Sequence, residues 1–299
     1  MELLRVGQHR RWPAALALLP AVLSLGGCKL VRDPSPIETA TELVAVHAML
    51  VAGEDTARVL LTRAQALAVS PPLAVEPVPG ASVRLIRGEE GIELDVGGDC
   101  VTRFGFPNEP DLAAGCYAGA VSGGIVTGAR YELEITLPGG ARIEGATTVP
   151  EPPALLEPAP GAELEVRFGP VPLPEPFVAA WRVQPSGRRT EISLRAVRRD
   201  CTALLRLPAD ASASFLDVTG SDSAELRTGF VGCGGESMPE RLDAHLVLTV
   251  YDANYTAYAK AIDSPYAIAR NGAAVGLRGA AGVFGSAAVA SVPVVLVRR

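Results

Sequence analysis

The sequence has few of the residues that usually carry chemistry. Its 299 residues include three histidines, five cysteines and only two lysines, Lys29 and Lys260. Neither lysine follows a glycine-rich loop, which excludes a Walker-type phosphate site. No two cysteines have C-x-x-C spacing, and only His47 and His245 follow the N-terminal segment, so we expect no metal site. The net charge is −6 and no basic tract exists, which argues against a nucleic-acid partner.

Motifs for catalysis and ligand binding are equally sparse. Ser122 lacks the G-x-S-x-G spacing of a nucleophile elbow, and each histidine stands alone on a predicted strand. Trp181 alternates with apolar neighbours and is predicted to point into the core, so no carbohydrate platform is visible. We therefore predict a protein that is not an enzyme and has no cofactor. A hydrolase assembled from scattered Asp, Glu or Ser residues and a purely structural module stay open as alternatives.

Two acidic clusters and one glycine-rich segment are candidate binding sites. The clusters lack the glycine and the distal glutamate of a calcium loop and are interpreted as solvated loops. Glycines recur every three residues from Gly276 to Gly282 without the context of a dinucleotide site, which predicts a loop with tight backbone packing. The acidic clusters are Asn108, Glu109 and Asp111, and Asp217, Thr219, Ser221 and Asp222.

The N-terminus has the pattern of an export signal. Three arginines precede an apolar stretch from Pro13 to Leu25, which is shorter than the about 17–25 residues that span a bilayer. Leu25-Gly26-Gly27-Cys28 resembles the lipobox of bacterial lipoproteins, in which the cysteine thiol receives the lipid. We predict a signal peptide over residues 1–27 and acylation of Cys28 by chains such as palmitate. The alternative is an ordinary secreted protein in which Cys28 is incidental.

Residues 28–40 contain Pro34 and Pro36 and little periodicity, which predicts a flexible tether. Lys29 stands where an aspartate would favour retention at the inner membrane in some bacteria. We therefore expect an outer-membrane location, on a face that the sequence does not specify.

Four cysteines remain after Cys28, and an exported chain meets oxidising conditions. Of the three possible pairings we favour Cys100–Cys116 and Cys201–Cys233, because a proline-rich break separates the two pairs. Free buried cysteines are the alternative.

Short alternating segments with Gly and Pro turns predict an all-β protein. Residues 41–150 are expected to form a β-sandwich, 151–160 a proline-rich linker and 161–299 a second β-rich domain. One short helix is predicted from Asp252 to Ile262, where Asp252 or Asn254 can cap it and Tyr255 and Tyr258 share a face. A final strand is predicted over Val289–Val297, with Pro293 placing it at an edge or bulge.

Four segments carry a resemblance to a known family: Pro79 to Leu85, Gly128 to Pro150, Tyr251 to Tyr258 and Gly282 to Ser286. Together they resemble the bacterial lipoprotein family catalogued as domain of unknown function 4249. The resemblance implies an immunoglobulin-like or prealbumin-like N-terminal β-sandwich followed by a longer β-rich part. It carries over no catalytic residues, but it implies a role near TonB-dependent outer-membrane receptors. We thus expect a membrane-anchored binding or accessory scaffold whose partner is such a receptor or another envelope protein.

Overall fold

The computed structural model describes residues 43–63, 76–98, 100, 110–166, 174–184, 188–207, 215–234, 239–262 and 274–298. Almost all of these residues lie in strands or the turns between them. Cys28, the signal peptide and the tether lie outside the described residues. The first half contains β1 (Val44–Val51), β2 (Thr56–Arg63), β3 (Ser82–Arg87), β4 (Glu90–Val96), a 3-10 helix (Pro110–Gly115), β5 (Cys116–Ala120), β6 (Arg130–Thr136) and β7 (Arg142–Thr148).

The second half contains the remaining strands and the one α-helix described. Its elements are β8 (Ala154–Glu157), β9 (Ala162–Val166), β10 (Phe177–Arg182), β11 (Thr190–Ala196), β12 (Cys201–Arg206), β13 (Phe215–Asp217), β14 (Ser223–Cys233), β15 (Arg241–Tyr251), α1 (Ala253–Ile262), β16 (Ala274–Val275), β17 (Leu277–Arg278) and β18 (Ala281–Arg298). The predicted β-rich fold with one short helix is confirmed.

Alternation along the strands explains why they form where they do. In β6 Tyr131, Leu133 and Ile135 are buried, while the residues between them are exposed. Successive side chains of a strand point to opposite faces. A segment with this alternation therefore places all its apolar side chains on one face when it forms a strand. The same pattern in β1 and β15 places half of each strand against a core.

Two hydrophobic cores lie under one continuous sheet. The first core is enclosed by β1 to β7 and the second by β9 to β15 with the later part of β18. In the described residues a fourteen-stranded sheet has the path β13-β11-β15-β18-β1-β2-β5-β4-β3-β6-β7-β17, with β9 and β16 also pairing with β18. A four-stranded sheet, β12-β14-β10-β8, covers the second core.

β18 joins the two halves of the protein. Its first part pairs in parallel with β1, and its later part pairs antiparallel with β15 and in parallel with β9. Phe284 faces the first core, and Val292 and Leu296 on the same side of the strand face the second. The first core takes most of its residues from the range 41–150, but Ala280 and Phe284 also belong to it, and the buried residues of the second core lie within 161–299. The predicted linker contains β8, which pairs with β10.

The prediction that Pro293 marks an edge strand or a bulge is wrong. β18 is longer than predicted and has neighbours on both sides. Pro293 lies opposite His245 of β15, and its carbonyl oxygen accepts a hydrogen bond of 2.7 Å from Gly161 N on the other side. The missing N–H of proline therefore points away from β15, into the gap after β1 ends and before β9 begins. An interior strand tolerates proline there because no ladder bond is lost.

The glycine-rich segment that leads into β18 packs tightly, as predicted, and its last glycine lies at the start of the strand. Gly282 has φ +96°, and a Cβ at this position would lie 2.1 Å from the carbonyl oxygen of Val46. Only glycine can adopt this conformation and allow so close an approach of two backbones. The absence of a side chain here lets β18 enter the sheet beside β1.

Candidate functional site

The outer face of the main sheet carries a groove lined by side chains from four neighbouring strands. These are the alternate residues of β11, β15, β18 and β1 that do not face a core. Register places them in rows: Tyr251 and Val51 both lie opposite Ala287, and Thr249 lies opposite Val289. The groove therefore has its floor on a regular, hydrogen-bonded surface.

Two adjoining cavities make up this groove. One has a volume of about 990 Å³ and the other about 750 Å³. They share the lining residues Arg195, Thr249, Tyr251 and Tyr255. Their sizes fall in the range of small-molecule sites, roughly 300–1,000 Å³.

Three tyrosines form one wall. The ring centroids of Tyr251 and Tyr255 lie 4.3 Å apart with an interplanar angle of 25°, which is a stacked pair. The ring of Tyr258 follows at 6.4 Å from that of Tyr255. Tyr251 is the last residue of β15, and Tyr255 and Tyr258 lie on α1. The turn at Asp252 between the strand and the helix therefore determines how the three rings are placed. Burial raises the pKa of Tyr258.

A chain of polar contacts orients Tyr251. Its hydroxyl donates to Glu191 Oε2 at 2.8 Å, and Arg189 Nε lies 2.7 Å from Glu191 Oε1. Arg189 also lies 3.5 Å from Asp217 Oδ2. Burial raises the pKa of Tyr251, and the neighbouring Glu191 carboxylate raises it further. The hydroxyl therefore stays protonated and keeps its role as a donor.

The two histidines occupy different environments. His47 lies on β1 at the groove, and burial lowers its pKa below the ordinary value of 6.5. Its side chain is therefore mainly uncharged at neutral pH. His245 is exposed on β15, opposite Arg195. The structure places both histidines on the outer face of the sheet, with only His47 lining the groove.

Beneath the start of α1 lies a buried polar network that the sequence patterns did not predict. Thr147 Oγ1 donates to Asp252 Oδ2 at 2.5 Å and lies 2.8 Å from Ser286 Oγ. The second carboxylate oxygen accepts the Tyr255 N–H at 2.8 Å and so caps the helix. Ser286 Oγ donates to the carbonyl of Thr148.

This network joins α1, β7 and β18, and it lies away from the solvent. The three side chains are 0–3% exposed. Burial raises the pKa of Asp252, against the lowering effect of its hydrogen bonds. Because the serine and threonine hydroxyls are both engaged and enclosed, the arrangement fixes the helix on the sheet.

Both predicted disulfide bonds are confirmed. The Cα atoms of Cys100 and Cys116 are 5.6 Å apart, and those of Cys201 and Cys233 are 3.9 Å apart. The first bridge packs with Leu60 and Leu112 in a small cluster of its own. Cys201 lies at one border of the second cavity, so this bridge supports an edge of the groove.

The other residues singled out from the sequence do not meet in the groove. Trp181 is 2% exposed in the second core, as predicted, and its Nε1 donates to the carbonyl of Ser221. Asp217 accepts hydrogen bonds from the backbone and hydroxyl of Thr219, and Ser122 is exposed. Asn108 and Glu109 lie outside the described residues.

Two further features are absent from the part of the chain that the structure describes. There, no group of three or more His, Cys, Asp or Glu side chains could hold a metal ion. No helix in that part is long and apolar enough to cross a membrane.

The sequence offered a partial signal for the groove. The i,i+3 spacing of Tyr255 and Tyr258 indicated a shared helical face, but it did not show what that face borders. Tyr251, Glu191 and Arg195 lie on strands that are distant along the chain and become neighbours only through the β11–β15 pairing.

Fold, bridges and groove together define a disulfide-bridged all-β protein with an open groove on its main sheet. Residues 33–169 match the model of the family described as Domain of unknown function (DUF4249). The predicted resemblance is confirmed over this stretch. The segments Tyr251 to Tyr258 and Gly282 to Ser286, which also suggested it, lie beyond the matched residues.

Comparison with solved structures finds proteins of low sequence identity to this chain. The Yersinia pseudotuberculosis adhesin InvE is 13% identical over 71% of this chain and 57% of its own, with a TM-score of 0.20. A protocadherin gammaB7 EC3-6 cis-dimer structure is 11% identical over 87% of this chain and 51% of its own, with a TM-score of 0.21.

A third solved structure is a cycloalternan-degrading enzyme from Trueperella pyogenes in complex with cycloalternan. It is 11% identical over 81% of this chain and 34% of its own, with a TM-score of 0.24. The present chain thus spans 34–57% of the length of these three proteins. Likeness at these TM-scores assigns no function. No curated protein matches the sequence.

Proposed function

We propose that this protein is an envelope lipoprotein, anchored through acylated Cys28, that acts as a non-enzymatic binding or accessory scaffold beside a TonB-dependent outer-membrane receptor. One observation carries the proposal: an open groove of about 990 Å³ lies on a sheet that runs through both halves of the chain. A surface held by many ladder hydrogen bonds is preorganised, which reduces the entropy lost on binding.

The contacts in the groove favour binding over catalysis. Glu191 is held by Tyr251 on one side and Arg189 on the other, so its charge is already compensated. The Ser286 and Thr147 hydroxyls are buried beneath α1 and face one another. These groups orient a surface and a helix, which is what a recognition site requires.

The anchor proposal is supported by the lipobox and by the two disulfide bonds. Disulfides persist in oxidising compartments such as the periplasm or the cell surface. Intact mass spectrometry of membrane-extracted protein is expected to show loss of residues 1–27 and acylation of Cys28. Cys28→Ala protein is expected to leave the membrane fraction. If it sediments with membranes as the wild type does, the anchor proposal is wrong.

The receptor proposal is tested by affinity capture from solubilised membranes. Val289 lies in the groove and is 40% exposed, whereas Val178 is 50% exposed on the four-stranded sheet, on β10. Val289→Glu therefore places a charge in the groove, and Val178→Glu is its matched control. We expect wild type and Val178→Glu to enrich a TonB-dependent receptor and Val289→Glu to lose it. Equal capture by both variants would remove the groove from the proposal.

A further inference from the structure

We propose that the groove binds a small organic anion with a flat, apolar body, of the class of aromatic carboxylates. The anion would lie at Arg195 and Arg199, and the body would lie against the tyrosine wall. This inference rests on the proposed binding function and names the chemistry of the ligand. Three features carry it: the charges of the rim, the apolar floor and the aromatic wall.

The rim has more positive charge than its own acids compensate. Among the described residues, four arginines line the second cavity, and the one acidic residue there, Glu191, already contacts Arg189. In the first cavity Glu54 lies 3.7 Å from Arg58. Arg198 is paired with Asp200. The lining arginines are Arg189, Arg195, Arg198 and Arg199.

Arg195 and Arg199 form no ion pair with a described residue. Both are exposed, so their guanidinium groups are open to a ligand. Guanidinium binds carboxylates in planar, bidentate geometry, which makes such a group the fitting anion. Two such arginines at one groove stand out in a chain whose net charge is −6.

The floor and the wall determine the rest of the ligand. Met49, Val51, Ala287 and Val289 give the first cavity an aliphatic floor from two adjacent strands. The stacked Tyr251 and Tyr255 rings offer a flat face beside it. Aromatic rings pair best in offset or edge-to-face arrangements, which suits a planar ligand. A strongly hydrated ligand would bury its hydroxyls against this floor without partners.

The experiment compares three probes that separate charge from shape. Titration calorimetry uses full-length protein in lipid nanodiscs, with empty nanodiscs as the blank. The probes are 2-naphthoate, which has the flat apolar body and the carboxylate, 2-naphthylmethanol, which keeps the body without the charge, and glucuronate, which keeps the carboxylate on a polar body. We expect 2-naphthoate to bind at least about tenfold more tightly than either of the others. Equal affinity for 2-naphthylmethanol, or tighter binding of glucuronate, would overturn the proposal.

Variants then locate the binding. The double variant Arg195→Gln/Arg199→Gln is expected to weaken 2-naphthoate binding about tenfold. Adding Tyr255→Leu to the double variant is expected to weaken the binding further. Arg241→Gln is the matched control, since Arg241 is an exposed arginine on β15 that pairs with Glu163 and does not line the groove. A similar loss in Arg241→Gln would show non-specific attraction and sink the proposal. Circular dichroism confirms that each variant is folded.

The outcome is separable from that of the proposed function. If the wild type captures its receptor but does not bind 2-naphthoate, the ligand class is wrong and the scaffold proposal stands. If 2-naphthoate binds and no receptor is captured, the receptor proposal fails while the ligand site stands. Failure of both removes the groove as a recognition site.

Discussion

Asp252 makes three kinds of contact at the start of α1. One carboxylate oxygen caps the helix through Tyr255 N, the other accepts the Thr147 hydroxyl, and the backbone N–H donates to the Ser286 carbonyl at 2.8 Å. A buried charge is tolerated only when its oxygens are satisfied in this way. The residue thus ties the tyrosine wall to β7 and β18, and the shape of the groove depends on it.

The first prediction concerns the hydroxyl of Thr147. Thr147→Val keeps the shape of the side chain but removes the donor to the buried carboxylate. Hydrogen bonds to charged groups contribute roughly 1.5–3 kcal/mol, so we expect the free energy of unfolding to fall by about 2 kcal/mol. Thr148→Val is the control, because Thr148 is exposed on the opposite face of β7. Urea denaturation measures the free energy of unfolding of both variants. An equal decrease in Thr147→Val and Thr148→Val would contradict the role of the network.

The second prediction concerns pH. Burial raises the pKa of Asp252 above its ordinary value of 3.8, so the folded protein binds this proton more tightly than the unfolded chain does. Protonation of Asp252 therefore adds to the free energy of unfolding. This contribution is complete below the ordinary pKa and is lost as pH rises through the pKa of the folded state. Asp252→Asn removes this titration.

The free energy of unfolding of Asp252→Asn, relative to wild type, is therefore expected to increase between pH 4 and pH 7. Chemical denaturation at several pH values measures this difference. A difference that stays constant with pH, or that decreases, would show that the carboxyl is not protonated more readily in the fold.

At the scale of single elements, the two disulfide bonds fasten different kinds of structure. Cys201 and Cys233 lie directly opposite each other in the β12–β14 pair, at one end of the four-stranded sheet. Cys100 and Cys116 instead lie beside the 3-10 helix Pro110–Gly115. Leu112 of this helix and Leu60 of β2 pack against the bridge. The Cys201–Cys233 bridge therefore belongs to the second core, whereas the Cys100–Cys116 bridge lies in a small cluster of its own.

The third prediction compares the bridges. Their sequence separations are 32 and 16 residues. In the chain-entropy model the Cys201–Cys233 bridge adds roughly 4 kcal/mol to the free energy of unfolding, and the Cys100–Cys116 bridge adds roughly 3 kcal/mol. We expect Cys201→Ser/Cys233→Ser to lower the free energy of unfolding more than Cys100→Ser/Cys116→Ser does. Reduction of the wild type should approach the sum, and the reverse order in denaturation would contradict the model.

At the scale of the whole molecule, β18 decides how the two cores depend on each other. Its inner face supplies Phe284 to one core and Leu296 to the other, while its two edges pair with strands of both halves. A substitution that destabilises one core is expected to destabilise the other, because β18 is hydrogen-bonded to strands of both halves. The two cores are therefore expected to unfold as one unit.

The fourth prediction tests this coupling. Phe284→Ala creates a cavity in the first core, and such a change costs about 3–5 kcal/mol. Trp181 is buried in the second core and reports its unfolding by fluorescence. We expect the Trp181 transition to shift to lower denaturant in Phe284→Ala but not in Val289→Ala, whose valine is an exposed residue of the same strand. A Trp181 transition that does not move would show independent halves.

The amino-acid sequence by itself determined the local structure. The alternation of Tyr131, Leu133 and Ile135 predicted β6, and the cap residue with the following tyrosines predicted α1, because periodicity and capping depend on residues a few positions apart. The even distribution of cysteines around a proline-rich break predicted the two bridges. The family resemblance needed nothing beyond short segments, and it holds over residues 33–169.

Only the tertiary structure decided which strands are neighbours. The parallel pairing of β1 with β18 joins residues more than two hundred positions apart, and nothing in either strand specifies the other. This pairing places the predicted final edge strand inside a sheet that both halves share. It also brought Val51, Ala287 and Tyr251 into one row, with Arg195 at the border. The groove could not be predicted, because strand alternation determines which face a side chain occupies but not which strand lies beside it.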